Sequence, residues 1–178
     1  MSEPSLYRTG FYALLYILAS SISLFFHLLP LTSTPGSWAA PDVILCLTYV
    51  LVLRRPKLAP IGLVAIVFLV FDLFLMRPPG LMAAYVVIGA EFLRSRTRVN
   101  SELPFLVEWA LAAGVIFAVL FGYRLTLLLV ALDVPRLGLD LQYLIGTVVL
   151  YPMFALIVER FIPFGKIGRS GDSTGQKP

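Results

Sequence analysis

Few side chains in this sequence could do chemistry, and their spacing limits what that chemistry could be. Ser20, Ser21 and Ser23 share one apolar run with His27, the only histidine, four residues after Ser23. A serine activated by a base one helical turn away is the start of a nucleophilic site. No other His or Lys stands at that spacing, and hydroxyls in an apolar helix commonly bond back to a preceding carbonyl. Cys46 is the only cysteine, so an intrachain disulfide and a cysteine-based metal site are excluded, and a buried, inert thiol is expected. A single histidine also excludes a His-rich metal cluster. There is no Gly-rich phosphate loop, HExxH or CxxC. Catalysis has no residue-level support, and neither cofactor nor metal is expected.

The carboxylates pose a sharper question. VFLVFDLFLMRPPGLMAAY, residues 67–85, carries Asp72 inside a run of Val, Phe and Leu. Placing a lone carboxylate in hydrocarbon costs roughly 2.5–3.5 kcal/mol on insertion scales, so something should pair with it or wet it. Glu91, Glu108 and Glu159 are three further acids near the ends of apolar runs. Together they could suggest a proton relay, but the positions between are nearly all Leu, Val, Ile, Phe and Ala. Interfacial anchoring is the simpler expectation, with Glu91 three residues before Arg94 and in reach of a local ion pair.

The elements that position these groups are membrane spans. The chain has 178 residues, of which 59% are hydrophobic and 13% charged, with a mean hydropathy of +0.91. Such a composition describes an integral membrane protein. Apolar stretches that span or nearly span a bilayer recur six times: Phe11–Leu29, Trp38–Leu53, Leu58–Met76, Leu81–Leu93, Leu103–Leu132 and Leu139–Ile162. Pro30 with TSTPGS, RRPK, RPPG, RSRTRVNSE and DVPRLG punctuate them. The fourth is short and reads best as one helix from Met82 through Arg96. The fifth is long enough either to tilt or to break near Gly122. The first has Arg8 before it, as a signal peptide would, but its nineteen residues exceed the usual apolar core of one.

Loop charge orients the chain. With six crossings and a cytoplasmic amino terminus, the inner side holds Arg8, Arg54, Arg55, Lys57, Arg94, Arg96, Arg98, Arg160, Lys166, Arg169 and Lys177. Those are eleven of the fourteen basic residues, the asymmetry of the positive-inside rule, so both termini are expected in the cytoplasm. The net charge of +4 is thus a topology signal, and nucleic acid is not expected as a partner. Residues 1–164 form the membrane domain, and the Gly-rich polar stretch 165–178 reads as a disordered tail.

Depth follows from orientation. Asp72 lies about one turn below the outer end of the third span, and Arg124 falls near the same level in the fifth. Asp72 is expected to pair with Arg124, with Arg77 as a second partner, or else to reach the outer headgroups. Trp38, Trp109, Tyr7 and Tyr143 sit where aromatic belt residues do. Gly62, Gly89, Gly114 and Gly146 would allow close helix approach. Pro41 and Asp42 open the second span, where a proline has no donor to lose and an aspartate faces the positive end of the dipole. Pro152, after Tyr151, should free the carbonyl of Val148.

The order WAAPDVILCLTYVLVLRRP, FLVFDLFLMRPPGLMAAYVVIGAEFLRSR and VVLYPMFALIVERF resembles the bacterial rod shape-determining protein family MreD. The resemblance runs from Trp38 to Phe161. It is carried by Pro41 and Asp42, by Arg54, Arg55 and Pro56, by Asp72 with its Pro-Gly turn, by Tyr85, and by Tyr151 with Pro152. The turn departs from the family, which often has a Gly or Ser next to the third-span Asp and a Ser-Pro-Leu-Gly type turn, where this chain has Met76, Arg77, Pro78, Pro79 and Gly80. The resemblance implies a non-enzymatic, multi-pass scaffold of the bacterial inner membrane within the cell-wall elongation complex. Its implied partners are the transmembrane helix of MreC and, through it, MreB, RodA and a class B penicillin-binding protein, alongside membrane lipids, and a homodimer is allowed. The family is similar in fold to the six-helix substrate-binding subunits of energy-coupling-factor transporters, so the alternative function is a vitamin-binding subunit. The chain offers little polar lining for that, chiefly Asp72, Tyr123 and Arg124, whereas small and aromatic residues suited to a helix-docking groove are abundant.

Overall fold

The computed structural model describes residues 6–29, 40–99, 104–132 and 136–161. The TSTPGS loop, Trp38, the Tyr7 side chain and the tail 165–178 lie outside them. Among the described residues the protein is all-helical: α1 (Leu6–Leu28), α2 (Val43–Arg54), α3 (Ile61–Phe74), α4 (Leu81–Val99), α5 (Phe105–Leu129) and α6 (Leu137–Phe161). Three of them, α1, α5 and α6, are long and apolar enough to cross a membrane. At 1.5 Å per residue, α2 and α3 reach only about 18 and 21 Å, less than the hydrocarbon core.

The fourth segment is one continuous helix, and the fifth runs unbroken through Gly122. The second helix begins directly after the Pro41–Asp42 pair, within the apolar run that contains it. Pro41 precedes it, and Asp42 is its N-cap, accepting from the N–H groups of Ile44 and Leu45 at 3.0 and 2.9 Å. A carboxylate here satisfies two of the four donors a helix start leaves unpaired. Pro60 and Pro104 stand just before α3 and α5, where a missing N–H leaves no bond unmade.

Two helix ends use a less expected device. Arg77 N–H bonds the Asp72 carbonyl at 3.0 Å across Met76, whose φ is 53°. Leu132 N–H bonds the Leu127 carbonyl at 3.0 Å across Ala131, whose φ is 54°. Both are six-to-one closures of the Schellman type, here built on non-glycine residues in the left-handed region.

α2 is the centre of the molecule. Nine of its twelve residues are buried, and it packs against α1, α4, α5 and α6. Contacts at both ends show that α2 and α6 run parallel: Asp42 meets Thr147, and Arg54 meets Glu159. α1 is the outlying helix: among its described side chains it buries only Tyr16, Ser20, Ser23 and Leu24, a narrow stripe at helical spacing. Its hydrogen bond to α2 joins Tyr16 and Thr48 hydroxyls at 2.7 Å.

Close approach occurs at Gly89 and Gly146 but not at Gly62 or Gly114, which have open space where a Cβ would stand. At Gly89 that Cβ would lie 2.6 Å from the Tyr49 hydroxyl and 2.7 Å from Val115 Cγ1, so α2, α4 and α5 meet at this glycine. Gly122 does the same for the Tyr85 ring, with 2.6 Å to Cε1. Overpacking a fitted site costs about 1–3 kcal/mol. Gly89→Ala should therefore lower the thermal midpoint in detergent by several degrees, while Gly114→Ala leaves it unchanged; equal midpoints would refute the three-helix contact.

Candidate functional site

The polar side chains gather at the two ends of the bundle, and the richer set surrounds Arg54. As the last residue of α2, Arg54 carries a positive charge where the helix dipole favours one. Its Nε donates to Glu108 Oε1 at 2.8 Å, and its Nη1 to Glu159 Oε2 at 2.9 Å and to the Ala155 carbonyl at 3.3 Å. The Tyr151 hydroxyl donates to the same Glu108 oxygen at 2.8 Å. Arg54 also lies 5.9 Å from the centre of the Phe105 ring. One guanidinium thereby ties the end of α2 to the start of α5 and the last turns of α6.

Burial separates the two acids. The Glu108 side chain is 11% exposed and that of Glu159 52%. A shielded pair is costly to break because it strands a charge, whereas an exposed one contributes little. Glu91 takes no part in this set. Its carboxylate lies 3.6 Å from Arg94 Nη1, the local pair expected from their spacing. A carboxylate held by a guanidinium and a phenol in this way is a structural tie.

The opposite end holds Asp42, Asp72, Arg124 and Tyr85. Asp42 Oδ1 caps α2, and its Oδ2 accepts from the Tyr143 hydroxyl at 2.5 Å. Asp42 N–H donates to Thr147 Oγ1 at 3.1 Å, and Pro41 packs against Gly146. Both residues that open α2 are thus docked on α6. Tyr85 hydrogen-bonds Thr126 at 2.7 Å, joining α4 to α5.

Asp72 and Arg124 do not pair. Arg124 is bonded to Asp140, which the α5–α6 connection brings to the same level from the first turn of α6. Asp72 Oδ2 instead accepts from Ala83 N–H in the first turn of α4 at 3.2 Å, with the Arg77 guanidinium in electrostatic reach. It is fully buried, enclosed by the protein itself. Asp72 closes α3 through its carbonyl and starts α4 through its carboxylate, which accounts for an acid in an apolar run.

The freed carbonyl at Pro152 is also found. Val148 O accepts from Trp109 Nε1 at 3.1 Å, and the neighbouring Thr147 carbonyl accepts from buried Cys46 Sγ at 2.8 Å. Trp109 and Tyr143, both half-buried, therefore act as donors between helices. Ser20 and Ser21 bond back to the carbonyls of Tyr16 and Ile17. His27 Nδ1 lies 2.9 Å from the Ser23 carbonyl, so the ring does not address the Ser23 hydroxyl.

Sequence reasoning missed Asp140, Thr147 and the donor role of Trp109. Only Asp140 left a usable signal, because hairpin geometry levels it with Arg124. The fold and its polar ends define an all-helical protein with membrane-spanning character. Comparison with family models, curated proteins and solved structures finds no match to this chain.

Removing Arg54 strands Glu108, so Arg54→Ala should cost about 3–5 kcal/mol of stability, and Glu159→Gln no more than about 1 kcal/mol. Adding Glu108→Leu to Arg54→Ala should recover most of the loss. Unfolding in mixed micelles checks this, and equal losses for the two single variants would contradict it.

Proposed function

We propose that this chain is a scaffold of the bacterial inner membrane of the MreD type, with six crossings and both termini cytoplasmic, that docks the transmembrane helix of MreC. On this reading MreB, RodA and a class B penicillin-binding protein are reached through that helix. The observation that carries the reading is where the polar groups go. Asp42, Glu108, Glu159, Arg54, Arg124, Tyr85, Tyr143 and Tyr151 are bonded to one another or to neighbouring helices. A vitamin-binding subunit needs such groups converging on a ligand.

The surface supports the same reading. α5 exposes Ala110, Gly114 and Ala118 at four-residue spacing, beside Phe117 and Phe121, whose rings stack at 5.9 Å. Small residues at this spacing admit close approach of another helix, and the flanking rings supply area. Short α2 and α3 lie inside a thinned bilayer or with snorkelling ends, and the inner end carries the basic runs.

The test is detergent co-purification with co-expressed MreC, using a scrambled MreC transmembrane segment as control. Near-stoichiometric recovery with the native segment alone is expected, falling at least about tenfold in Gly114→Ile with the thermal midpoint unchanged. Equal recovery of the scrambled control, or no binding together with a small molecule retained by the purified protein, would overturn the scaffold reading.

A further inference from the structure

The basic runs of the sequence divide into two kinds of residue. Arg54 is turned into the bundle. Arg94 is likewise withdrawn, its side chain only 13% exposed, and its Nη2 donates to the Ala59 carbonyl at 2.6 Å and to the Pro56 carbonyl at 3.5 Å. One guanidinium on α4 thus fixes the α2–α3 loop on both sides of Lys57. Lys57 itself is exposed. Arg96, two residues beyond Arg94, is also exposed and lies 5.1 Å from the centre of the Phe92 ring.

Phe92 is itself exposed, so Arg96 rests on an apolar ring with its charge at the edge of the apolar surface. That is the posture of a snorkelling side chain. Among the described residues, the carboxylates of this end cannot neutralise the displayed charge without giving up existing bonds: Glu91 is paired with Arg94, and Glu108 and Glu159 with Arg54.

We propose that the α2–α3 loop and the adjoining turns of α4 form a binding site for the phosphodiester headgroup of an anionic phospholipid. Lys57 and Arg96 are the contacting cations, and Arg94 is a positioning residue that holds the loop in place. The charges lie at the border of apolar and polar surface, where a lipid presents its phosphate. A braced loop binds with less ordering cost than a free one. Each basic residue near an anionic lipid surface strengthens binding about fivefold. The inference rests on the membrane reading but not on MreC, so it can fail while partner docking stands.

The experiment is a native mass spectrometry titration of the full chain in detergent with phosphatidylglycerol and, separately, phosphatidylcholine. Phosphatidylglycerol should bind more tightly, and K57Q/R96Q should weaken it by about 25-fold while leaving phosphatidylcholine unchanged. R94K, which keeps the charge but loses the planar fork that reaches two carbonyls, should weaken phosphatidylglycerol several-fold although both contacting cations remain. Equal binding of the two lipids by the wild type, or no change in K57Q/R96Q, would overturn the site. Unaltered binding in R94K with an unaltered midpoint would remove Arg94 from its positioning role. Displacement of the lipid by inorganic phosphate at comparable concentration would make the site one for free anions and overturn the lipid assignment.

Discussion

The arrangement depends on fastening a twelve-residue helix at both ends. α2 sits at the centre of the molecule with Asp42 at its start and Arg54 at its finish, each sign matched to the dipole. Both residues reach α6. Asp42 does so through Tyr143 and Thr147, and Arg54 through Ala155 and Glu159. Two parallel helices far apart in sequence are thereby held in one register, and α5 joins them through Glu108. The hydrophobic driving force on α2 is non-directional. Its register is set by the close contact of Tyr49 at Gly89 and by the charged ends.

A second constraint is that polar atoms in an apolar fold need partners inside it. The chain meets it with unusual donors and acceptors: an indole for the carbonyl that Pro152 frees, a thiol for its neighbour, and a carboxylate for the first turn of α4. Among the described residues, Ser23 Oγ, Tyr49 Oη, Asp72 Oδ1 and Arg94 Nε remain buried without a hydrogen-bond partner. They belong to four different helices, α1 to α4.

The two ends differ in consequence. At one, acids and hydroxyls stitch the helices together, with Arg124 neutralised by Asp140. At the other, Glu91, Glu108 and Glu159 are held by Arg54 and Arg94, and cations such as Lys57 and Arg96 remain on display. At both ends the polar groups described serve the fold itself, and much of the outer face is apolar.

Much of this was legible beforehand. Apolar run length gave six helical segments, proline and aspartate chemistry gave the start of α2, and the loss of an N–H at Pro152 exposed Val148 O. These follow from local covalent structure, which the chain carries wherever it folds. The partners did not follow. Depth alone placed Asp72 level with Arg124, but depth fixes one coordinate of three, and Asp140 and Ala83 supplied the bonds instead. The donor roles of Trp109 and Tyr143 toward the Val148 carbonyl and Asp42 did not follow from their positions near helix ends. Which way a side chain faces depends on helix rotation and on neighbours that packing brings from 39 to 105 positions away, as with Trp109–Val148 and Arg54–Glu159. The sequence by itself therefore determined which segments are helical and where a polar group would need an answer. Only the tertiary structure decided which group answers, because that choice is made by the geometry of contact between helices.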